Sequence, residues 1–226
     1  MATEYGKKYF YGVGSGYRRG YTWETVGYLM RRHFRDVTLH SRYKSGRWLD
    51  AGCAKGFLLK IASQHGWQPF GFDASLYAVE EARRVCPNAR VLVSDAQRPL
   101  PFPDNFFEVV TACELVEHLP EPSKFFREAF RLLKRDGLLF VTTPNASSIF
   151  GSRLARDFCR VVNFDTPFSD ETHVSYFTSK SIERLLKGCG FSRVETEHSL
   201  DFLWRWSAHF PSPIGWTLHA FAHRSG

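Results

Sequence analysis

At 226 residues, with 43% hydrophobic and 16% aromatic content, the chain is large and apolar enough for one α/β domain with a sizeable core, which excludes global disorder. No apolar run reaches the roughly 18 residues of a membrane span, and the opening Met1-Ala2-Thr3-Glu4-Tyr5-Gly6-Lys7-Lys8 lacks the apolar stretch of a signal peptide, so a cytoplasmic address is expected. Five cysteines without a Cys-x-x-Cys pair argue against a disulfide framework or a cysteine zinc site, and the net charge of +7 comes from residues 1–47, where ten Lys or Arg face three Asp or Glu.

Residues 1–46 read as a basic cover segment. Tyr9 to Tyr17 looks irregular and glycine-rich, and residues 22–36 place Trp23, Val26, Met30 and Phe34 at helical spacing with Arg31, Arg32 and Arg35 elsewhere. A solvated helix face accounts for these arginines most simply; nucleic acid, an anionic substrate or a membrane surface is the alternative partner. Residues 47–143 then alternate short apolar runs with helical segments. Strands are expected at Trp48–Ala51, Pro69–Phe72, Val91–Ser94, Phe107–Ala112 and Leu138–Thr143, with helices at Phe57–Gln64, Leu76–Val85 and Ser123–Lys134, the last closed by Gly137. That rhythm means crossover units and a parallel sheet. Residues 144–176 break it, as an inserted substrate lid would, with a basic amphipathic stretch at Ser147–Val162. Residues 177–226 return to a helix at Thr178–Gly190, capped by Thr178 or Ser179, and to strands at Phe191–His198 and Trp216–Ala222 around an aromatic insert.

The sharpest motif is Leu49-Asp50-Ala51-Gly52-Cys53-Ala54-Lys55-Gly56-Phe57, closing the first strand and opening the first helix of the core. Gly52 and Gly56 let a ligand approach the backbone where helix-start amides point into the same crevice. Asp50 decides what that ligand is, because an acid there repels a dinucleotide pyrophosphate but suits a cofactor carrying an ammonium and a sulfonium. Asp73, followed by Ala74, ends the second strand, where a carboxylate can accept both ribose hydroxyls. Asp95, followed by Ala96, ends the third and can accept from an adenine amino group. Each acid alone is as well explained as a helix cap; three at successive strand ends point to S-adenosylmethionine (SAM).

After the fourth strand, Cys113-Glu114-Leu115-Val116-Glu117-His118 places Glu114, Glu117 and His118 within about one helical turn. With His173 they make a candidate set for a divalent metal ion. Without a metal, His118 or His173 is the candidate general base. His33, His40, His65, His198, His209, His219 and His223 show no mutual ligand spacing. The cluster Phe202, Trp204, Trp206, Phe210 and Trp216 suits an apolar acceptor pocket or a plain hydrophobic lid, and Arg153, Arg156 and Arg160 suit a solvated face or an anionic acceptor.

On these motifs, together with Pro99 to Val110, Glu117-His118-Leu119, Leu132 to Leu139 and His173 to Thr178, the chain resembles class I SAM-dependent methyltransferases of the type 11/type 12 group over residues 45–222. The resemblance implies a Rossmann-like, seven-stranded, mostly parallel sheet with an antiparallel last strand and helices on both faces, in a single domain. It implies SAM over the first four strands with Cys113 near its methionine part. Glu108 departs from the usual aspartate, with a slight expected effect. The Glu-x-x-Glu-His segment with a distant His is similar to that of ubiquinone-pathway O-methyltransferases and small-RNA 2′-O-methyltransferases, in which a metal holds the acceptor oxygens. The function expected is methyl transfer to oxygen of a small molecule. A metal-assisted RNA 2′-O-methyltransferase and a non-catalytic SAM-binding regulator are the alternatives. Against base amino methylation, the fourth strand lacks an Asn/Asp-Pro-Pro-aromatic tetrad. Oligomeric state is not legible.

Overall fold

Alternation of β-branched and aromatic residues with short helical runs produces a seven-stranded sheet in the computed structural model, which describes residues 6–11, 20–148, 172–199 and 215–225. The elements in chain order are α1 (Lys7–Phe10), α2 (Trp23–His40), β1 (Gly46–Ala51), α3 (Phe57–Gln64), β2 (Trp67–Asp73), α4 (Leu76–Val85), β3 (Arg90–Val93), β4 (Phe107–Cys113), a 3-10 turn (Val116–His118), α5 (Pro122–Leu132), β5 (Leu133–Pro144), α6 (Ser179–Gly188), β6 (Arg193–Ser199) and β7 (Thr217–His223). The sheet order is β3-β2-β1-β4-β5-β7-β6. β1 to β5 run parallel, and β7 is antiparallel to both β5 and β6. Strand order reverses beside β1, which opens a crevice at the carboxyl ends of β1 and β4.

The strands bury both faces. Leu49, Val110, Leu139 and Val141 join Phe125, Phe126 and Ile182 of α5 and α6 on one side. Trp48, Val109, Phe140 and Phe221 join Val26, Met30 and Val37 of α2 and Leu58 and Ile61 of α3 on the other. Helices therefore cover both faces, as the alternating pattern requires. The expected fold class is what the structure shows.

Most element ends shift by up to five residues from the expected ones, and two of the differences are qualitative. Gly137 does not end a helix. α5 stops at Leu132, β5 starts at Leu133, and Asp136 rather than Gly137 takes the left-handed conformation, at φ 60°. The reason lies at the other end of the chain. Arg224 donates from Nη1 to the carbonyl oxygens of Phe130 (2.8 Å), Arg131 (3.1 Å) and Leu133, so the orphan carbonyls of α5 are met by a guanidinium and need no glycine motif. Lys7–Phe10 forms a helical turn whose last two residues, Tyr9 and Phe10, belong to the segment expected to be irregular. Most of the 144–176 insert, including the arginine stripe, and the aromatic insert up to Phe210 lie outside the described residues. Glu108 sits at the amino-terminal edge of β4, far from the crevice, where Oε2 accepts from the Arg47 amide at 2.5 Å and Oε1 pairs with Lys134. Among the described residues, no helix is long and apolar enough to cross a membrane. Cys53, Cys86, Cys113 and Cys189 are free thiols.

Candidate active site

The β1–α3 turn is shaped by two left-handed glycines. Gly52 (φ 66°) faces Leu115, and a Cβ there would lie 3.1 Å from Leu115 Cδ1. Gly56 (φ 75°) has a packing role besides the one expected, because its absent side chain lets α3 pack on α4, where a Cβ would approach Ala82 to 2.9 Å. Ala54 also adopts a left-handed conformation, and its amide donates to Asp73 Oδ2 at 3.0 Å. The Cys53 thiol is turned into a small core with Leu59, Val79, Ala82, Cys86 and Val91, so only the Cys53 backbone borders the crevice.

Asp50 is buried, and Thr111 Oγ1 donates to its Oδ1 at 2.7 Å; Trp48 Nε1 in turn donates to Thr111 Oγ1 at 3.0 Å. Burial pushes the Asp50 carboxyl up to about 7, against the lowering effect of the Thr111 hydrogen bond and with a further push from Asp73. Asp73 caps the turn after β2, accepting from Ala54 and from the Ser75 amide at 2.8 Å, and burial raises it as well. Ala74 beside it is exposed. The β3 end is tied alongside by Ser94 N donating to Asp73 O at 3.0 Å; Asp95 follows, accepting from the Gln97 amide at 2.8 Å, with Ala96 buried behind it. The adjacent ends of β1, β2 and β3 thus carry Asp50, Asp73 and Asp95 along one rim, with Cys113 ending β4 on the other side of β1.

Tyr21 was not legible as a site residue. It is buried over this crevice, stacked on Phe57 (ring centroids 5.7 Å, 11°). Burial drives its hydroxyl well above the usual phenol range, with Asp50, Cys113, Cys53 and Asp73 adding to the shift. Its position depends on Gly20 (φ 76°) and on a bond from its amide to Phe10 O at 2.9 Å, neither of which leaves a periodic signal.

The acceptor side is built where the chain returns at residues 172–177. The amides of Val174 and Ser175 both donate to Glu117 O, at 2.8 and 2.9 Å, and Ser175 Oγ donates to Leu119 O at 2.8 Å. This zips the return segment onto the 3-10 turn and sets the His173 ring 4.7 Å from that of His118. His118 Nδ1 lies 2.9 Å from Thr172 Oγ1. Glu117, His118 and His173 each offer a ligand atom within 4.8 Å of the other two. Glu114 stands beside this trio and does not join it; at φ 49°, its Oε1 accepts from Thr142 Oγ1 at 2.9 Å. Glu117 is wholly buried, and neither carboxylate oxygen makes a hydrogen bond of ordinary geometry among the described residues. Burial, followed by the neighbouring Glu114 charge, drives it well above the carboxylate range, while Thr143 pulls weakly the other way. Such a carboxyl waits for a cation or holds its proton.

Comparison with known proteins agrees with this geometry. A family described as "Methyltransferase domain" matches residues 23–196. A probable S-adenosylmethionine-dependent methyltransferase of Mycobacterium tuberculosis is 29% identical over 143 residues, 63% of this chain and 47% of that protein. A ubiquinone biosynthesis O-methyltransferase of Coxiella burnetii is 31% identical over 108 residues, 43% of each chain. This chain thus spans about half the length of the curated relatives it matches. Among solved structures, a SAM-dependent methyltransferase of Thermotoga maritima, described as a possible histamine N-methyltransferase, superposes with a TM-score of 0.68 at 18% identity, over 90% of this chain and 93% of that one. A phosphoethanolamine N-methyltransferase of Haemonchus contortus, solved with S-adenosyl-L-methionine, gives 0.62 at 19% identity, over 87% and 53%. The chain belongs to the methyltransferase domain family, as a class I SAM-dependent methyltransferase of the type 11/type 12 group.

Proposed function

We propose that this protein transfers the methyl group of SAM to an oxygen of a small-molecule acceptor. Asp50, Gly52, Gly56, Asp73, Ala74, Asp95, Ala96, Cys113 and the Cys53 backbone form the cofactor side, and Glu114, Glu117, His118 and His173 form the acceptor side. The observation that carries the reading is the gathering of Glu117, His118 and His173 directly after β4, the strand beside the acid-bearing β1. The residues fit the cofactor, since Asp50 is a buried carboxylate whose ionisation costs free energy until a cation faces it. When bound, SAM supplies an electrophilic methyl group. Asp50 would meet its ammonium, Asp73 its ribose hydroxyls and Asp95 its adenine amino group.

On the acceptor side, a carboxylate and two imidazoles are a donor set that divalent ions accept, and the wholly buried Glu117 carboxyl, with the Glu114 carboxyl beside it, is where such a charge is wanted. When bound, the ion would lower the acceptor hydroxyl pKa. Glu117, His118 and His173 would hold it, and Glu114, oriented by Thr142, would add to the negative field. If the site works without metal, His118 takes the acceptor proton at Nε2, its Nδ1 being engaged by Thr172. The ubiquinone-pathway relative weighs toward oxygen as the target atom.

Titration calorimetry with S-adenosylhomocysteine, followed by transfer of labelled methyl from SAM into a small-molecule extract with Mg²⁺, Mn²⁺ or chelator, tests this reading. Binding and a labelled small product are expected. Label appearing in RNA would redirect the reading to nucleic acid, and binding without any product would make the chain a SAM-responsive regulator.

A further inference from the structure

Lys55 occupies an unusual place. It lies inside the glycine turn, is only 7% exposed, and among the described residues forms an ion pair with no carboxylate. Lysine is seldom so buried without a paired charge. What surrounds its ammonium is aromatic: Nζ lies 4.8 Å from the ring centre of Tyr11, 5.9 Å from Phe10 and 6.0 Å from Tyr77. Two of these rings come from the amino-terminal turn and one from α4. The rings also hold one another: Phe10 packs on Tyr77 at 5.8 Å and edge-on against Tyr21 at 6.1 Å, and the Tyr77 and Tyr11 side chains are hydrogen bonded.

We infer that Lys55 is a positioning residue that latches the amino-terminal cover onto the cofactor turn through a cation–π cage of Phe10, Tyr11 and Tyr77, so that the cover and the bound cofactor retain each other. The chain of contacts is continuous. Lys55 holds Phe10 and Tyr11, Phe10 O receives the Tyr21 amide, and the Tyr21 ring lies over the crevice that Asp50 and Asp73 border. Ring faces attract a desolvated ammonium without neutralising it, so the same lysine leaves the carboxylates of the crevice to the ligand. A cofactor leaving past Tyr21 must first open this contact, and an opened cover exposes the turn from above. The inference rests on the reading that this crevice takes the cofactor.

The test compares wild type with Lys55→Met, Lys55→Arg and Tyr11→Leu. Hydrogen exchange at the Tyr21 amide is followed in the ligand-free protein, and S-adenosylhomocysteine dissociation is followed by stopped flow. Lys55→Met and Tyr11→Leu are expected to speed both by roughly tenfold, the size of a desolvated cation–π contact, while Lys55→Arg, which keeps a cation over the rings, stays within about twofold of wild type. Amides of β4 and β5 should exchange at the wild-type rate in all variants, which a general loss of folding would not allow. If Lys55→Met does not fold, Tyr11→Leu carries the same comparison with the cofactor turn intact. Unchanged exchange and dissociation in the variants, or equal losses in Lys55→Arg and Lys55→Met, would overturn the latch. Wild-type protein that takes no S-adenosylhomocysteine would overturn the cofactor reading and the mutual retention with it; the ligand-free exchange arm reports on the cover contact by itself.

Discussion

Asp50 is a carboxylate placed where ionisation is costly, and that cost makes ligand binding depend on pH. With its carboxyl pushed up to about 7, empty protein below that pH holds a proton that a cationic ligand must displace. Affinity for S-adenosylhomocysteine should therefore rise as pH is raised from about 5.5 to 7, by at most about tenfold per unit, and calorimetry on Asp50→Asn should show weak, pH-insensitive binding over that range. Glu117 acts on stability in the opposite sense. Its folded-state pKa lies above the unfolded value, so the native state binds more protons than the unfolded one above about pH 4.5, and stability is lost as pH climbs through that window. Glu117→Gln should accordingly raise the melting temperature of metal-free protein more at pH 8 than at pH 5, and should abolish any stabilisation by Mn²⁺. The acids Asp50, Asp73 and Asp95 were legible because strand ends in an alternating pattern converge on one rim. The closeness of His173 to the 3-10 turn came from resemblance rather than spacing, since 54 residues separate His118 from Thr172, which fixes its ring. Tyr21 and Lys55 were not legible as partners, because an aromatic in an irregular segment and a lysine in a glycine turn acquire meaning only when packed together.

At the level of elements, ends matter more than middles. Arg224 donates to three carbonyl oxygens around the end of α5, and Arg224→Ala would remove that donor from all three, leaving Arg131 O its bond from the Asn105 amide. Urea denaturation should record a loss of about 1–3 kcal/mol, while affinity at the distant crevice stays as in wild type. Gly56→Ala sets a side chain at φ 75° within 2.9 Å of Ala82 and should cost about 2–3 kcal/mol by the same measurement. The interiors of the helices and strands follow directly from apolar periodicity. The helix end near Gly137 did not, because a glycine after a basic run is an ordinary stop signal and the arginine that replaces its function lies some ninety residues away in sequence. That Gly56 also lets α3 pack on α4 was not legible, because the contact with Ala82 joins two helices that only the fold brings together.

For the whole molecule, the parallel sheet was legible from the crossover rhythm, and its seven strands with an antiparallel last one from the family resemblance; the sheet shows both. A ligand that binds only the native state stabilises it by mass action: S-adenosylhomocysteine at a hundredfold excess over its Kd should add about 2.7 kcal/mol and raise the melting temperature by roughly 5–10 °C, measurable by scanning calorimetry. The two halves of the site differ in how far apart in the chain their parts lie. The acid-bearing rim is drawn from neighbouring crossover units, whereas the imidazole pair depends on two backbone amides, Val174 and Ser175, closing a long excursion of the chain onto a single carbonyl of Glu117. Lengthening that excursion adds only about 0.6 kcal/mol of closure entropy per doubling. On the proposed reading, insertions between those anchor points would reshape the acceptor side at almost no thermodynamic penalty while leaving the acid-bearing rim in place.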